Sequence, residues 1–164
     1  MTRIFHGSER DLLQTFIDQE RDVVLWKLDG LTDDQLRQPV GPSQLYLLGI
    51  VKHLAGAERY WLGELFGLPS EPGSLAASDD LQIDPDDTTA SVLAYYTRAR
   101  VASDAAIATV DLDTTARTWN HDTVSFRWAV LHIIEETARH AGHIDTIRQH
   151  IDGTTGYLPN NALY

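Results

Sequence analysis

Four stretches of the chain carry apolar residues every three or four positions, separated by polar segments rich in Gly, Pro, Ser and Asp, a periodicity that predicts helices rather than strands. Ser8 followed by Asp11 marks a helix start, and Leu12, Leu13, Phe16, Ile17, Val23, Val24 and Trp26 carry one face to Asp29-Gly30, so the first helix spans residues 9 to 28. Pro42-Ser43 opens a second helix, residues 42 to 66, bearing Leu47, Ile50, Val51, Leu54, Tyr60, Trp61, Leu62 and Leu65. Residues 69 to 88 hold too little apolar surface to order themselves as core and read as a long acidic crossover. Helical spacing resumes from Thr88 to Thr109 through Val92, Leu93, Tyr96, Ala99, Val101, Ala105 and Ile107. Residues 110 to 124 form a connection with a short extended piece at Arg117 to Trp119. Ser125 caps a fourth helix, Phe126 to Ile151, which Asp152-Gly153 closes before an irregular tail from Thr154 to Tyr164. The expectation is an all-α chain, a four-helix bundle with a long crossover loop between helices two and three, in a single domain spanning residues 1–164.

Composition narrows the function classes. With 164 residues and 43% hydrophobic positions the chain can bury a substantial core. Twenty-four acidic against 13 basic side chains give a formal charge of -11, and no Lys or Arg run could track a phosphate backbone, so nucleic acid is not expected as a partner. There is no cysteine, hence no disulfide, no thiolate-bound zinc and no sulfur nucleophile of the chain's own. No apolar h-region and no uninterrupted apolar run near ~18 residues is present, so a cytoplasmic protein without a membrane partner is the expectation.

The fourth helix carries the chemistry. On a helical wheel with His132 at 0°, Ile133, Ile134, Ala138, Ala141, Ile144, Ile147 and Ile151 occupy a sector from ~60° to ~240° that must face the core. Glu136 at ~40° and His140 at ~80° point inward at its edge, while Glu135 and Arg139 fall on the solvated side. A carboxylate driven toward a core costs several kcal/mol unless it is neutralised, hydrogen-bonded or bound to a cation. His53 borders the inward stripe Tyr46, Ile50, Ala57 and Trp61 of the second helix and can face the fourth. His, Glu and His supply three ligands and leave room for water or substrate, a set that suits zinc first, then nickel or ferrous iron. The competing reading is a helical ion pair of Glu136 with His140 or Arg139.

Other candidates carry less. His143, an i, i+3 partner of His140, stands behind the site and rivals it as a ligand; His132 and His150 lie nearer the solvated border. His6 and His121 have no assigned role. Asp84, Asp86 and Asp87 lack the spaced ligands of a calcium loop and read as a solvated acidic turn. The aromatic residues are mostly assigned to the core. His-Glu-x-x-His, Gly-x-Ser-x-Gly, P-loop and Gly-x-Gly-x-x-Gly signatures are all missing, and Glu135 and Glu136 lack the Glu-x-x-His spacing of a di-iron bundle.

The segments Val51-Lys-His53-Leu-Ala-Gly-Ala-Glu-Arg-Tyr-Trp61 and Ser125-Phe-Arg-Trp-Ala-Val-Leu-His132-Ile-Ile-Glu-Glu136-Thr-Ala-Arg-His140-Ala-Gly-His143 resemble the DinB/YfiT-like metalloenzymes. In that superfamily a His on the second helix joins two ligands four apart on the last, commonly His-x-x-x-His. Glu136 in the first position resembles the mycothiol-dependent maleylpyruvate isomerase branch. The resemblance implies His53, Glu136 and His140 as ligands of a divalent metal, and a low-molecular-weight thiol such as mycothiol or bacillithiol activated for transfer or isomerisation of a small-molecule substrate. Tyr46, Tyr60, Trp61 and Arg139 would line the mouth. The alternative is a non-catalytic helical binding module with a structural metal or a buried ion pair; a homodimer is open under either reading.

Overall fold

The computed structural model describes residues 4–69 and 81–156. The chain is mostly helical: α1 (Glu9–Leu28), a one-turn α2 (Asp33–Leu36), α3 (Leu47–Leu62), α4 (Thr89–Thr109) and α5 (Phe126–Asp152), with a 3-10 turn at Glu64–Phe66 and a small hairpin of β1 (Thr115–Arg117) and β2 (Thr123–Ser125). The expected first helix matches its observed bounds, because Ser8 and Asp11 form a reciprocal capping box that satisfies orphan backbone donors at its start. Ser125 accepts from the Trp128 amide and Gly153, at φ 77°, ends α5, as its position after the last periodic residue predicts. Most of the acidic crossover, residues 70–80, and the end of the tail, residues 157–164, lie outside the described residues.

Two local expectations are corrected and one short element is added to them. α3 begins at Leu47 rather than Pro42, since Gly41 and Gln44 take positive φ values in a tight turn that pairs Val40 with Leu45. Thr32 and Gln35 build a capping box for α2, too short a helix for periodicity to reveal. The extended piece in the 110–124 connection is an antiparallel hairpin, Thr115–Arg117 against Thr123–Ser125, so Trp119 belongs to its turn rather than to a strand.

α3 packs against α4 and α5, and α1 against α5. The buried apolar residues fall into two clusters, one around Val24, Ile50, Leu54, Tyr96 and Ile144 and the other around Ile17, Leu62, Ile107, Phe126 and Ile133. Their boundary is polar. Arg21 is wholly buried there, with Nη2 2.5 Å from Glu58 Oε2 and Nη1 2.7 Å from Asp104 and 3.1 Å from Asp18. Burial opposes the guanidinium charge, but the Glu58 and Asp104 carboxylates hold its pKa above the ordinary arginine value. Periodicity did not mark either Arg21 or Glu58 as inward-facing.

The acidic turn is tied to α3. Lys52 Nζ sits 2.5 Å from Asp84 and 2.7 Å from Asp87, which accords with a solvated ionic turn rather than a cation loop. A Cβ at Gly49 would overlap the Leu81 carbonyl, so the backbone passes over α3 at a point only glycine allows. Gly49→Ala is expected to lower stability by about 1–3 kcal/mol in urea titrations, since backbone must move to admit the methyl. A loss under about 0.5 kcal/mol would show that this passage is not held. No helix among the described residues is long and apolar enough to cross a membrane.

Candidate metal centre

Near the polar boundary between the two clusters, α3 and α5 bring His53, Glu136 and His140 together. Leu54 and Ala57 place His53 at that level of α3, as Ile133 and Ala141 place Glu136 and His140 on α5. His53 Nε2 lies 3.0 Å from Glu136 Oε1, and His140 Nε2 lies 3.1 Å from the same oxygen. The two imidazole rings are tilted at 57° with centroids 4.7 Å apart. One ligand atom from each of the three side chains falls within 4.8 Å of the others. Glu136 is partly buried and its carboxyl is held well below the usual carboxylate range, first by the His140 contact and then by that of His53, against the opposing effect of burial.

The donor set fits a divalent ion. Bonds of ~2.0–2.1 Å around a tetrahedral zinc put neighbouring donors ~3.3 Å apart, so the observed 3.0 and 3.1 Å spacings need only open slightly. Two neutral imidazoles and one carboxylate leave a net positive site on a 2+ ion, which attracts an anionic fourth ligand. Without an ion the arrangement is a His–Glu–His hydrogen-bonded cluster.

His143 is exposed, with Nδ1 3.4 Å from His140 Nδ1, and its pKa is lowered by burial and then by the charges of His140 and Arg139. His132 reaches Glu135 at 3.8 Å and is not part of the three-residue cluster; His150 is exposed near the end of α5. His6 and His121 are exposed and are not members of that cluster. Tyr46 stands at the N-cap of α3 without a capping side-chain bond, and Arg139 is exposed. The buried sector of α5 is narrower than the wheel predicts: Ala138 is exposed, while Thr137 and Arg148 are buried, Thr137 bonding back to the Ile133 carbonyl.

The assignment of the aromatic residues to the core is also corrected. Trp119 is 70% exposed and Trp128 45%, and both join Tyr60, Trp61 and His132 in one cluster beside the site. The one available signal was composition, since Trp119 stands among Thr118, Asn120, His121 and Asp122.

A crystal structure of a conserved protein from Enterococcus faecalis is similar over 91% of this chain and 100% of that one, with a TM-score of 0.69 and 12% identity, a likeness of fold alone. No curated protein matches the sequence. The family model described as mycothiol-S-transferase matches residues 12–153, a span that contains all five helices from the fourth residue of α1 onward and all three residues of the His–Glu–His cluster. The chain therefore belongs to the mycothiol-S-transferase family, a DinB/YfiT-like family.

Proposed function

We propose that the protein is a metal-dependent thiol transferase in which His53, Glu136 and His140 hold one divalent ion, zinc before nickel or iron, and mycothiol supplies the nucleophile. The observation that supports this most directly is the convergence of two imidazole nitrogens from different helices on a single carboxylate oxygen. A surface ion pair needs one partner for Glu136; two imidazoles on one oxygen is the arrangement of a ligand set. The scaffold is read as a four-helix bundle of α1, α3, α4 and α5 in one domain over residues 1–164, working in the cytoplasm on a small molecule.

When bound, the ion would lower the pKa of a coordinated thiol so that thiolate is available near neutral pH. The external thiol is required because the chain has no cysteine. Its sulfur forms a bond to an electrophilic carbon and the thiol proton goes to base or solvent; the displaced electron pair departs with the leaving group of an alkylating agent, or stays on the opened epoxide oxygen or on the enolate of an α,β-unsaturated acceptor, which then takes up a proton. His143 is suited to take that proton: its lowered pKa keeps it neutral at pH 7, and it is exposed with Nδ1 3.4 Å from His140 Nδ1. Glu136 stays anionic under the same conditions and balances the site's positive charge.

The test is conjugation of mycothiol by metal-loaded protein across a panel of alkylating, epoxide and α,β-unsaturated electrophiles. The expected result is conjugation that chelator abolishes and that Glu136→Gln lowers by at least ~100-fold, as expected for a lost ligand where even supporting partners contribute ~10–100-fold. Stoichiometric metal with no conjugation of any electrophile would leave a helical binding module with a structural ion.

A further inference from the structure

The aromatic cluster beside the candidate centre has a consequence for how the thiol is held. Trp61 on α3 meets His132 on α5 with ring centroids 4.6 Å apart, and His132 lies stacked on Trp128 at 15° and 5.0 Å. The hairpin turn adds Trp119, whose ring packs 5.6 Å from Tyr60 and 5.7 Å from Trp61. The Trp119 backbone also bonds the Tyr60 hydroxyl. Aromatic surface exposed this far is unfavourable in water, yet these rings are held in fixed mutual geometry by contacts from three separate elements.

The position is as informative as the composition. His132 is one helical turn before Glu136 and Trp128 two turns, so the platform begins ~6 Å from the centre along α5 and reaches ~12 Å or beyond. An acceptor carbon must come within ~3.5 Å of the attacking sulfur, too near the ion to depend on rings that far off. A platform at this range meets the remote body of a long ligand whose sulfur is at the centre. The rings are interleaved with the Tyr60 hydroxyl, the His132 imidazole and a turn in which Asn120 Nδ2 lies 2.6 Å from Asp122, and such alternation of flat apolar faces with hydrogen-bonding groups suits a hydroxylated ring rather than a hydrocarbon.

We propose that Trp119, Trp128 and Trp61, with Tyr60 and His132, form the subsite for the sugar-like carrier of the thiol, the pair of hydroxylated six-membered rings on which mycothiol bears its cysteine. This rests on the reading of the protein as a mycothiol transferase. The C–H faces of those rings stack on the exposed indoles while their hydroxyls meet the polar groups between them. A carrier bound here delivers the sulfur to His53, Glu136 and His140, and distinguishes mycothiol from thiols that lack the rings.

Calorimetric titration with glucosaminyl-inositol, the carrier without its cysteine, tests the subsite separately from metal and from turnover. Saturable binding is expected, weakened about tenfold by Trp119→Ala and by Trp128→Ala and largely retained by Trp119→Phe, with metal content and helical circular dichroism unchanged. Because the rings do not ligate metal, His53→Ala should keep this binding while losing the ion, so failure of the metal reading and failure of the subsite are separate results. In conjugation assays the same Trp variants should lower kcat/KM for mycothiol about tenfold and leave that for N-acetylcysteine within about twofold. Equal losses for both thiols would assign the rings to the acceptor and overturn the proposal. So would no saturable carrier binding by the wild type, or a wild-type dimer that Trp119→Ala converts to monomer.

Discussion

His53→Ala is expected to lower the affinity for zinc at pH 7.5 by more than about 100-fold, read by competition with a chromophoric chelator, because under the proposed function it removes one of three protein ligands and even an outer partner of a ligand is worth ~10–100-fold. Glu136 and His140 come from one helix and remain a turn apart in the variant, but two donors do not close a tetrahedral site. The effect has a pH signature. Glu136 has a folded-state pKa below its ordinary value, so its anionic form, and whatever stability that form contributes, persists above the ordinary carboxylate range and is lost only as pH falls through the lowered value. Between pH 7 and 5 the carboxylate is therefore constant, and loss of metal reports proton competition at imidazole, whose reference pKa is ~6.5. Wild-type affinity should fall steeply below about pH 6, by up to about 100-fold per unit for two histidine ligands. Affinity unchanged down to about pH 4 would refute histidine ligation, and unchanged affinity in His53→Ala would remove α3 from the site.

Arg21→Met is expected to destabilise the fold by about 3–5 kcal/mol in urea unfolding, the largest stability effect anticipated for a single substitution. The physical reason is what remains rather than what is removed. Glu58 is 1% exposed, and without the guanidinium it would be a buried carboxylate left beside Asp18 and Asp104. The pair substitution Arg21→Met with Glu58→Leu should recover much of that loss, because replacing both partners removes the uncompensated charge. A single variant within about 1 kcal/mol of the wild type would mean that water reaches this network and that it does not order the boundary between the two apolar clusters. Since Glu58 stands five residues after His53 on α3, the double variant also tests whether the ion network helps set that helix: metal affinity should change less than about tenfold if packing alone holds His53 in place.

Sequence alone determined what depends on neighbours in the chain. Capping by Ser8 and Ser125, termination at Gly153 and the 3.6-residue spacing of apolar residues are local effects, and they set α1 and α5 almost to the residue. Glu136 and His140 were legible for the same reason: a four-residue interval on a helix puts two side chains on one face whatever else the chain does. The meeting of His53 with that pair was an expectation supported by a resemblance, because nothing local says which way two helices turn toward one another. Only tertiary structure decided that His53 and His140 share one oxygen of Glu136, that Arg21 lies inside a carboxylate cage from three helices, and that Trp119 and Trp128 stay at the surface. Hydrophobicity assigns a tryptophan to the interior by its area and an arginine to the surface by its charge. Where partners from distant parts of the chain can satisfy a charge, or rings can support one another at the rim of a site, contact energies outweigh that average preference, and those contacts exist only once the helices have packed.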